Sequence, residues 1–411
     1  MVKIVRVSKF ELSRYFIIER KIITCILVLS TILIISTNIL RDYDQSLFAA
    51  PNKDDSGKGR GNEGNDDKKG RDEGKGNDDK KGRDEGKGNE PREEPRDQDE
   101  DEDEDKVDQD VNLNFNYGFE DEGNNERKNF NFVAAGDFGC SQNTKNIISN
   151  MMDRRPELVL PLGDLSVDNT ATCWLDLISP FYDKLQITFG YHDVKNGETK
   201  LNQYKKAFDL DELYYSFDYR HVHFIVMSTL SDFNVTSDQY KFIEHDLKIA
   251  SENEDIDWIV VTSYGPFYTS PSAHPAKNDI RNIYHPLFDR YGVDLVLQGH
   301  NHNYQRTYPI TFNANKGSNP TVTNAFTTGY NGNTDGIVYA VVGTAGEGFH
   351  PLEGRQPYMA TQIEGKFGFL DVEISNGNPH TNMTGTFYDN TDNNIQDYFT
   401  IEKEIRNNVT E

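Results

Sequence analysis

The segment Gly299-His300-Asn301-His302 carries two imidazoles two residues apart, directly after the apolar run 293–297. Neutral imidazole is the commonest protein ligand for metal ions. Earlier in the chain, Asp137 and Asp164 also come at the ends of apolar runs, each directly after a glycine. Carboxylates and imidazoles together suit zinc, manganese or iron. These four side chains therefore predict a metal centre.

A further pair of polar residues predicts acid–base chemistry. His192 and Asp193 follow the short apolar run 187–189. In two-metal phosphatases, ions about 3.5–4 Å apart acidify a bound water, which attacks phosphorus as hydroxide. The leaving alkoxide then needs a proton. We expect His192 to donate it, with the Asp193 carboxylate holding the imidazole in the required tautomer.

Short apolar strands alternating with helical patterns must position these side chains. Such alternation predicts an α/β layered core, in which ligands gather at the carboxyl ends of the strands. The predicted strands are 132–135, 158–162, 187–189, 223–227, 258–262, 293–297, 338–342 and 367–374, with an antiparallel pair at 385–388 and 398–401, and the predicted helices are 144–153, 237–251 and 283–291.

Five motifs in sequence order resemble those of the calcineurin-like metallophosphoesterases, and within them the purple acid phosphatase branch. The resemblance covers residues 132–401. It implies a four-layer α/β/β/α fold and hydrolysis of phosphate monoesters or related esters. The motifs are Gly136-Asp137-Phe138-Gly139, Gly163-Asp164-Leu165-Ser166, Gly190-Tyr191-His192-Asp193, Thr262-Ser263-Tyr264-Gly265-Pro266 and Gly299-His300-Asn301-His302.

The resemblance also implies a role for each matching residue. Asp137 and His302 would hold a first metal ion, and Asp164 would bridge it to a second. His300 would hold the second ion, and His192 would be the proton donor.

Other histidines and a tyrosine are weaker candidates. His274 lies ten residues past Tyr264, where the purple acid phosphatases have a histidine near the substrate phosphate. Its loop is rich in proline and serine, so a solvated side chain is an equally good interpretation. Tyr308 and His350 are candidates for lining the pocket.

Three positions depart from the pattern of the family. Tyr191 stands where the family has a metal-binding asparagine, and Tyr264 where it has a metal-binding histidine. Val167 replaces the tyrosine that colours the iron of purple acid phosphatases. The two tyrosines have three interpretations: they fill an abandoned second site, they bind a hard ion such as iron as phenolates, or they hydrogen-bond the substrate phosphate. The resemblance thus implies one or two ions of iron, zinc or manganese.

The N-terminal third has a different composition. Residues 1–21 are basic and residues 22–40 carry no charge, which predicts a membrane-spanning anchor with the following domain outside the cytoplasm. A cleaved signal peptide, and hence secretion, is the alternative. Residues 41–128 are charged and contain a tandem twelve-residue repeat, 66–77 and 78–89, which predicts a disordered linker. The folded domain is predicted at 129–403, followed by a tail at 404–411.

Charge and cysteine content narrow the partners and the compartment. The net charge of −25 argues against a nucleic-acid partner, because no basic stripe exists to bind phosphates. Cys140 and Cys173 could form one disulfide in an oxidising compartment or remain two buried thiols.

The sequence therefore predicts an exported, membrane-tethered phosphoesterase acting on a phosphate-ester small molecule or a phosphorylated substrate. The alternative is a catalytically silent domain that binds phosphorylated or anionic ligands at the cell surface. The oligomeric state stays open.

Overall fold

The computed structural model describes residues 127–195, 197–377 and 379–405. In the first half of this region the elements are β1 (Phe130–Ala135), α1 (Gln142–Asp153), β2 (Leu158–Pro161), α2 (Thr172–Ile178), a 3₁₀ turn (Ser179–Phe181), α3 (Tyr191–Val194), α4 (Glu198–Phe208), β3 (Tyr215–Tyr219), β4 (Val222–Val226), α5 (Asp238–Glu252) and β5 (Trp258–Ser263).

The second half is mainly β-structure. It contains α6 (Asn278–Tyr291), β6 (Leu295–Gln298), β7 (Tyr304–Thr307), β8 (Ile310–Thr311), β9 (Thr321–Val322), β10 (Gly329–Asn331), β11 (Val338–Val342), β12 (Met359–Ile363), β13 (Gly368–Asn376), β14 (His380–Asp389) and β15 (Ile395–Glu404).

The strands form two large mixed sheets and a small one. The first sheet has the order β10-β15-β14-β13-β1-β2, and the second has the order β12-β7-β11-β6-β5-β4-β3. Strands β1 and β2 are parallel, as are β4, β5 and β6. Because parallel strands end at the same edge of a sheet, the loops that follow them are brought together there.

The two sheets pack face to face through an apolar core. Phe132 of β1 lies edge-on against Phe224 of β4, with ring centroids 5.3 Å apart. On the other face of the second sheet, Val261 and Val296 pack with Ile243 of α5 and Phe288 of α6. Successive side chains of a strand point to opposite faces, so these strands are covered on both sides. This explains why they read as continuous apolar runs.

The predicted α/β class is confirmed, and most predicted elements lie within a few residues of the observed ones. The predicted strand 187–189 is wrong as a ladder strand. That segment runs beside β2 and makes only isolated bridges, one of them Leu162 to Thr188. The predicted helix 283–291 begins earlier, at Asn278.

Within the part of the chain that the structure describes, no helix is both long enough and apolar enough to cross a membrane. Residues 1–126, which include the predicted segment 22–40 and almost all of the predicted linker 41–128, lie outside the described residues, as do residues 406–411.

Candidate metal centre

The polar residues that follow the strands have unusual backbone dihedral angles. Asp137, Asp164 and His300 have φ values of 62°, 46° and 72°. Positive φ is uncommon for residues other than glycine, and such strain clusters at functional sites. The loops also hold each other, because the amide of Asp137 donates to Gly163 O (3.0 Å) and that of Gly299 donates to Tyr264 O (3.1 Å). The sharp turns thus aim these side chains at one place.

Asp137 and His302 face each other in one half of the site. Oδ2 of the fully buried Asp137 accepts a hydrogen bond from the amide of His300 at 2.8 Å. Oδ1 of Asp137 has no hydrogen-bond partner among the described residues and lies 3.5 Å from His302 Nε2. Nδ1 of His302 is 3.0 Å from Gly348 O, so this carbonyl orients the ring and leaves Nε2 facing the carboxylate.

Asp164 and Tyr264 form the other half. Oδ1 of Asp164 accepts from the amide of His192 at 2.7 Å, and Oδ2 accepts from the phenol of Tyr264 at 2.6 Å. Tyr264 is only 1% exposed. Burial, with the nearby charge of Asp137, raises the pKa of Asp164 to about 6. Burial likewise raises the pKa of the Tyr264 phenol far above its usual value, so the group keeps its proton.

Gly190 is required for this arrangement. A Cβ at that position would collide with the backbone nitrogen and the carboxylate of Asp164. The glycine therefore lets the loop after residue 189 approach the aspartate closely enough for the His192 amide to donate to it.

The predicted pairing of Asp193 with His192 is wrong. The Asp193 carboxylate accepts from the amides of Gly190 (2.8 Å) and Leu165 (3.0 Å), whereas His192 Nδ1 has no hydrogen-bond partner among the described residues. Both residues lie in the short helix α3, where consecutive side chains point in different directions. Asp193 instead ties its own loop to the loop of Asp164.

Four histidines are in ring contact beside the two aspartates. His274 stacks on His300, and His350 stacks on His302, each pair with centroids 3.8 Å apart. His274 also lies edge-on to His350, 5.0 Å away. Burial lowers the pKa of His274, and burial with neighbouring positive charge lowers that of His300 to about 2 and that of His350 to about 4. These three imidazoles are therefore mainly neutral, the form that binds metal. The pKa of His302 is instead raised, because the interaction with the Asp137 carboxylate outweighs burial.

Tyr191 does not share the buried position of Tyr264. Its side chain is 53% exposed, and its ring lies edge-on to His192 with centroids 5.8 Å apart. The structure thus brings Asp137, Asp164, Tyr264 and the histidine cluster together, and leaves Tyr191 at the surface of the same loop.

Two further groups support the site: the first has no local signal in the sequence, and the second is one of the predicted alternatives. Lys200 of α4 is fully buried; its ammonium donates to Ser166 O and, at 3.0 Å, to His192 O. A disulfide joins Cys140 to Cys173, one of the two arrangements left open above. The lysine could have been found only by noting that it falls on the buried face of α4 with Tyr204.

The residues fit a metal ion in one half of the centre. An unpaired buried carboxylate oxygen costs free energy unless a cation or donor meets it, and Asp137 Oδ1 is such an atom. Together with His302 Nε2 it offers the oxygen and nitrogen donors that zinc, manganese and iron accept. On the side of Asp164 and Tyr264, the phenol proton already occupies one lone pair of the carboxylate.

Comparisons with known proteins identify the family of the domain. Residues 130–304 match the family described as calcineurin-like phosphoesterase. The chain is 28% identical over 225 residues to purple acid phosphatase 21 of Arabidopsis thaliana, covering 50% of this chain and 51% of that protein. It is 27% identical over 280 residues to purple acid phosphatase 18 of the same plant, covering 64% of this chain and 60% of that protein. The chain therefore spans about half of the first relative and somewhat more of the second.

A solved structure supports the fold. The purple acid phosphatase PPD1 from yellow lupin (Lupinus luteus) seeds matches with a TM-score of 0.60 and 22% identity, over 69% of this chain and 55% of that one. The chain contains a calcineurin-like metallophosphoesterase domain. More particularly, its relatives are purple acid phosphatases, and both families use pairs of metal ions.

Proposed function

We propose that this domain, a four-layer α/β/β/α sandwich, is a metal-dependent hydrolase of phosphate monoesters with acid phosphatase-like chemistry. The observation that carries the proposal is the buried Asp137 Oδ1, which has no hydrogen-bond partner among the described residues and faces His302 Nε2 at 3.5 Å. The names of the relatives support the reaction class.

Asp137 and His302 would hold the ion, with Asp164 beside them. A bound divalent ion would acidify the attacking water and neutralise charge on the phosphoryl oxygens. That positive charge would also offset the repulsion between a dianionic phosphate and the carboxylates of Asp137 and Asp164.

His192 is the proton donor in this proposal. Lys200 and Asp164 fix its backbone on both sides, at His192 O and at His192 N. The leaving alkoxide would take its proton from this imidazole. Burial lowers the pKa of His192, so the ring carries that proton mainly at acid pH. Loss of a positioned acid of this kind costs about 10²–10⁴-fold in rate.

The test is hydrolysis of p-nitrophenyl phosphate across pH with added zinc, manganese or iron. The expected result is turnover with at least one metal, lost in His192→Ala and in Asp164→Ala. A protein that binds inorganic phosphate but turns over no ester with any metal would instead support the silent binding domain. That alternative is favoured by Tyr264, whose phenol bonds the carboxylate that the resemblance assigns as the bridging ligand.

We also propose that the domain acts outside the cytoplasm, tethered to the cell membrane or secreted if residues 22–40 are cleaved. The Cys140–Cys173 disulfide supports this, because disulfides persist in oxidising compartments. Asn234 of the sequon Asn234-Val235-Thr236 is exposed and thus accessible to glycosylation. Protease digestion of intact cells should remove the domain, and protection of it would contradict this placement.

A further inference from the structure

Tyr264 reaches across the place where a second metal ion would need its ligands. Its ring lies against His300, with centroids 4.5 Å apart, and its hydroxyl donates to Asp164 Oδ2 at 2.6 Å. One buried side chain therefore contacts both of the remaining donors on this side of the centre.

The contacts of His300 also leave little space for a second ion. Its ring is held between Tyr264 on one side and the stacked His274 ring, 3.8 Å away, on the other. Its backbone amide is bound to Asp137. An ion placed between His300 and Asp164 would have to displace the phenol, which is 1% exposed and packed in place.

In the other half of the centre, no side chain lies between the two potential metal ligands. Asp137 Oδ1 and His302 Nε2 face each other without an intervening side chain or a hydrogen bond. A cation that enters here would replace only the 3.5 Å ion pair between these two atoms. The two halves thus differ in whether a side-chain hydroxyl is hydrogen-bonded to the carboxylate: Asp164 Oδ2 accepts from the Tyr264 phenol, whereas Asp137 Oδ1 has no hydrogen bond among the described residues.

We infer that Tyr264 takes the place of a second ion: the centre binds one metal ion, at Asp137 and His302, and the Tyr264 phenol satisfies Asp164 Oδ2 instead. Asp164 keeps further lone pairs, since a carboxylate offers about four acceptor sites. This inference concerns metal content, and rests on the proposed function only for the presence of a metal at the site.

The test is the number of zinc ions per chain, measured by elemental analysis and by titration calorimetry on the folded protein. The wild-type protein should bind one ion. Tyr264→His places an imidazole next to His300 and Asp164 and should bind two. Tyr264→Phe removes the hydroxyl without adding a ligand, so it should still bind one.

Tyr204→Phe is the matched control, because Tyr204 is another buried tyrosine near the site whose hydroxyl has no hydrogen-bond partner among the described residues. It should leave the count at one. Thermal unfolding of each variant establishes that the protein is folded. The count does not depend on turnover, so an inactive protein with one ion would overturn the proposed function and leave this inference standing.

Three results would overturn the inference. One is two zinc ions in the wild-type protein, and another is a Tyr264→His variant that binds no more than the wild type. The third is visible phenolate-to-iron absorption in the ferric protein that disappears in Tyr264→Phe, because Tyr264 would then be a metal ligand.

Discussion

Histidines occur in two contrasting environments in this domain. At the centre, His274, His300 and His350 lie against other imidazole rings, and burial lowers the pKa of each. Away from the centre, His223 of β4 lies between two carboxylates, with Nδ1 2.6 Å from Asp218 Oδ1 and Nε2 2.9 Å from Asp246 Oδ2.

The difference in partners reverses the charge. Although burial disfavours the cation, the two hydrogen-bonded carboxylates raise the pKa of His223 to about 9. Asp218 is the direct cross-strand partner of His223, so this ion pair joins β3 to β4 and, through Asp246, to α5. A histidine between two carboxylates, such as His223, is therefore a cation that stabilises the fold. A buried histidine among other imidazoles is neutral and can offer a lone pair to a metal ion.

In the proposed site Asp137 supplies the carboxylate for the metal ion, so its substitution should have the largest effect. Asp137→Asn removes the negative charge that faces His302 at 3.5 Å. Zinc or manganese affinity should fall by more than about 100-fold, because loss of a side chain that only supports a ligand already costs roughly 10–100-fold. Titration calorimetry measures the change.

Asp371→Asn provides the control for this substitution. Asp371 is a half-buried aspartate of β13 bonded to Asn131, and it lies outside the centre, so metal affinity should stay unchanged. Equal affinity in wild type and Asp137→Asn would show that the metal does not use this carboxylate.

His223 should make the free energy of unfolding depend on pH. The pKa of His223 is about 9 in the folded protein and about 6.5 when unfolded. The ion pairs therefore stabilise the fold fully below pH 6.5, and this stabilisation is lost as pH rises through about 9. The loss is on the order of 3 kcal/mol, measured as the free energy of unfolding in urea from pH 6 to 10.

His223→Gln should flatten this pH dependence and leave metal affinity unchanged. His245→Gln, at an exposed position of α5, should keep the wild-type profile. A His223→Gln variant whose stability still falls between pH 6.5 and 9 would mean that other groups cause the loss.

The sequence predicted the strands and the polar residues that follow them because both signals are local. A buried run that ends in Gly-Asp or Gly-His places its side chain by turn geometry alone. The Tyr264–Asp164 hydrogen bond joins residues 100 positions apart, and no local pattern reveals whether such a phenol points inward. Tyr191 also replaces a metal ligand of the family, yet its side chain is exposed whereas that of Tyr264 is buried.

Side-chain direction explains the other misses. The sequence places Asp193 next to His192, but helix geometry sends consecutive side chains apart. Lys200 was passed over because lysine is almost never fully buried unless it is paired. Its burial depends on two backbone carbonyls, of Ser166 and His192, which only the folded loops bring together.

His350 tests how far the imidazole contacts within the centre matter. Its Nδ1 accepts from the amide of His302 at 3.1 Å, and its ring stacks on that of His302. His350→Ala should weaken metal affinity by about tenfold, the lower end of the effect for groups that orient a ligand. The loss stays modest because Gly348 O still holds His302 Nδ1.

His245→Ala is the matched control and should leave the affinity unchanged. A His350→Ala variant that binds no metal at all would make His350 a ligand itself, and the centre would then include all four contacting histidines.

Asp193→Asn should have the smallest effect on turnover, and it separates a structural carboxyl from one that orients a catalytic imidazole. Burial raises the pKa of Asp193 to about 8, so the group is mainly a neutral carboxyl near neutral pH. Asparagine matches its size and charge but keeps only one of the two oxygens that accept from the amides of Gly190 and Leu165. We expect kcat/KM for p-nitrophenyl phosphate to change by less than about tenfold. Loss of a carboxylate that holds a catalytic histidine costs about 10⁴-fold in a serine protease triad. A loss of that size in a folded Asp193→Asn protein would show that Asp193 orients His192 after all. His192 would then depend on a carboxylate, as His223 does.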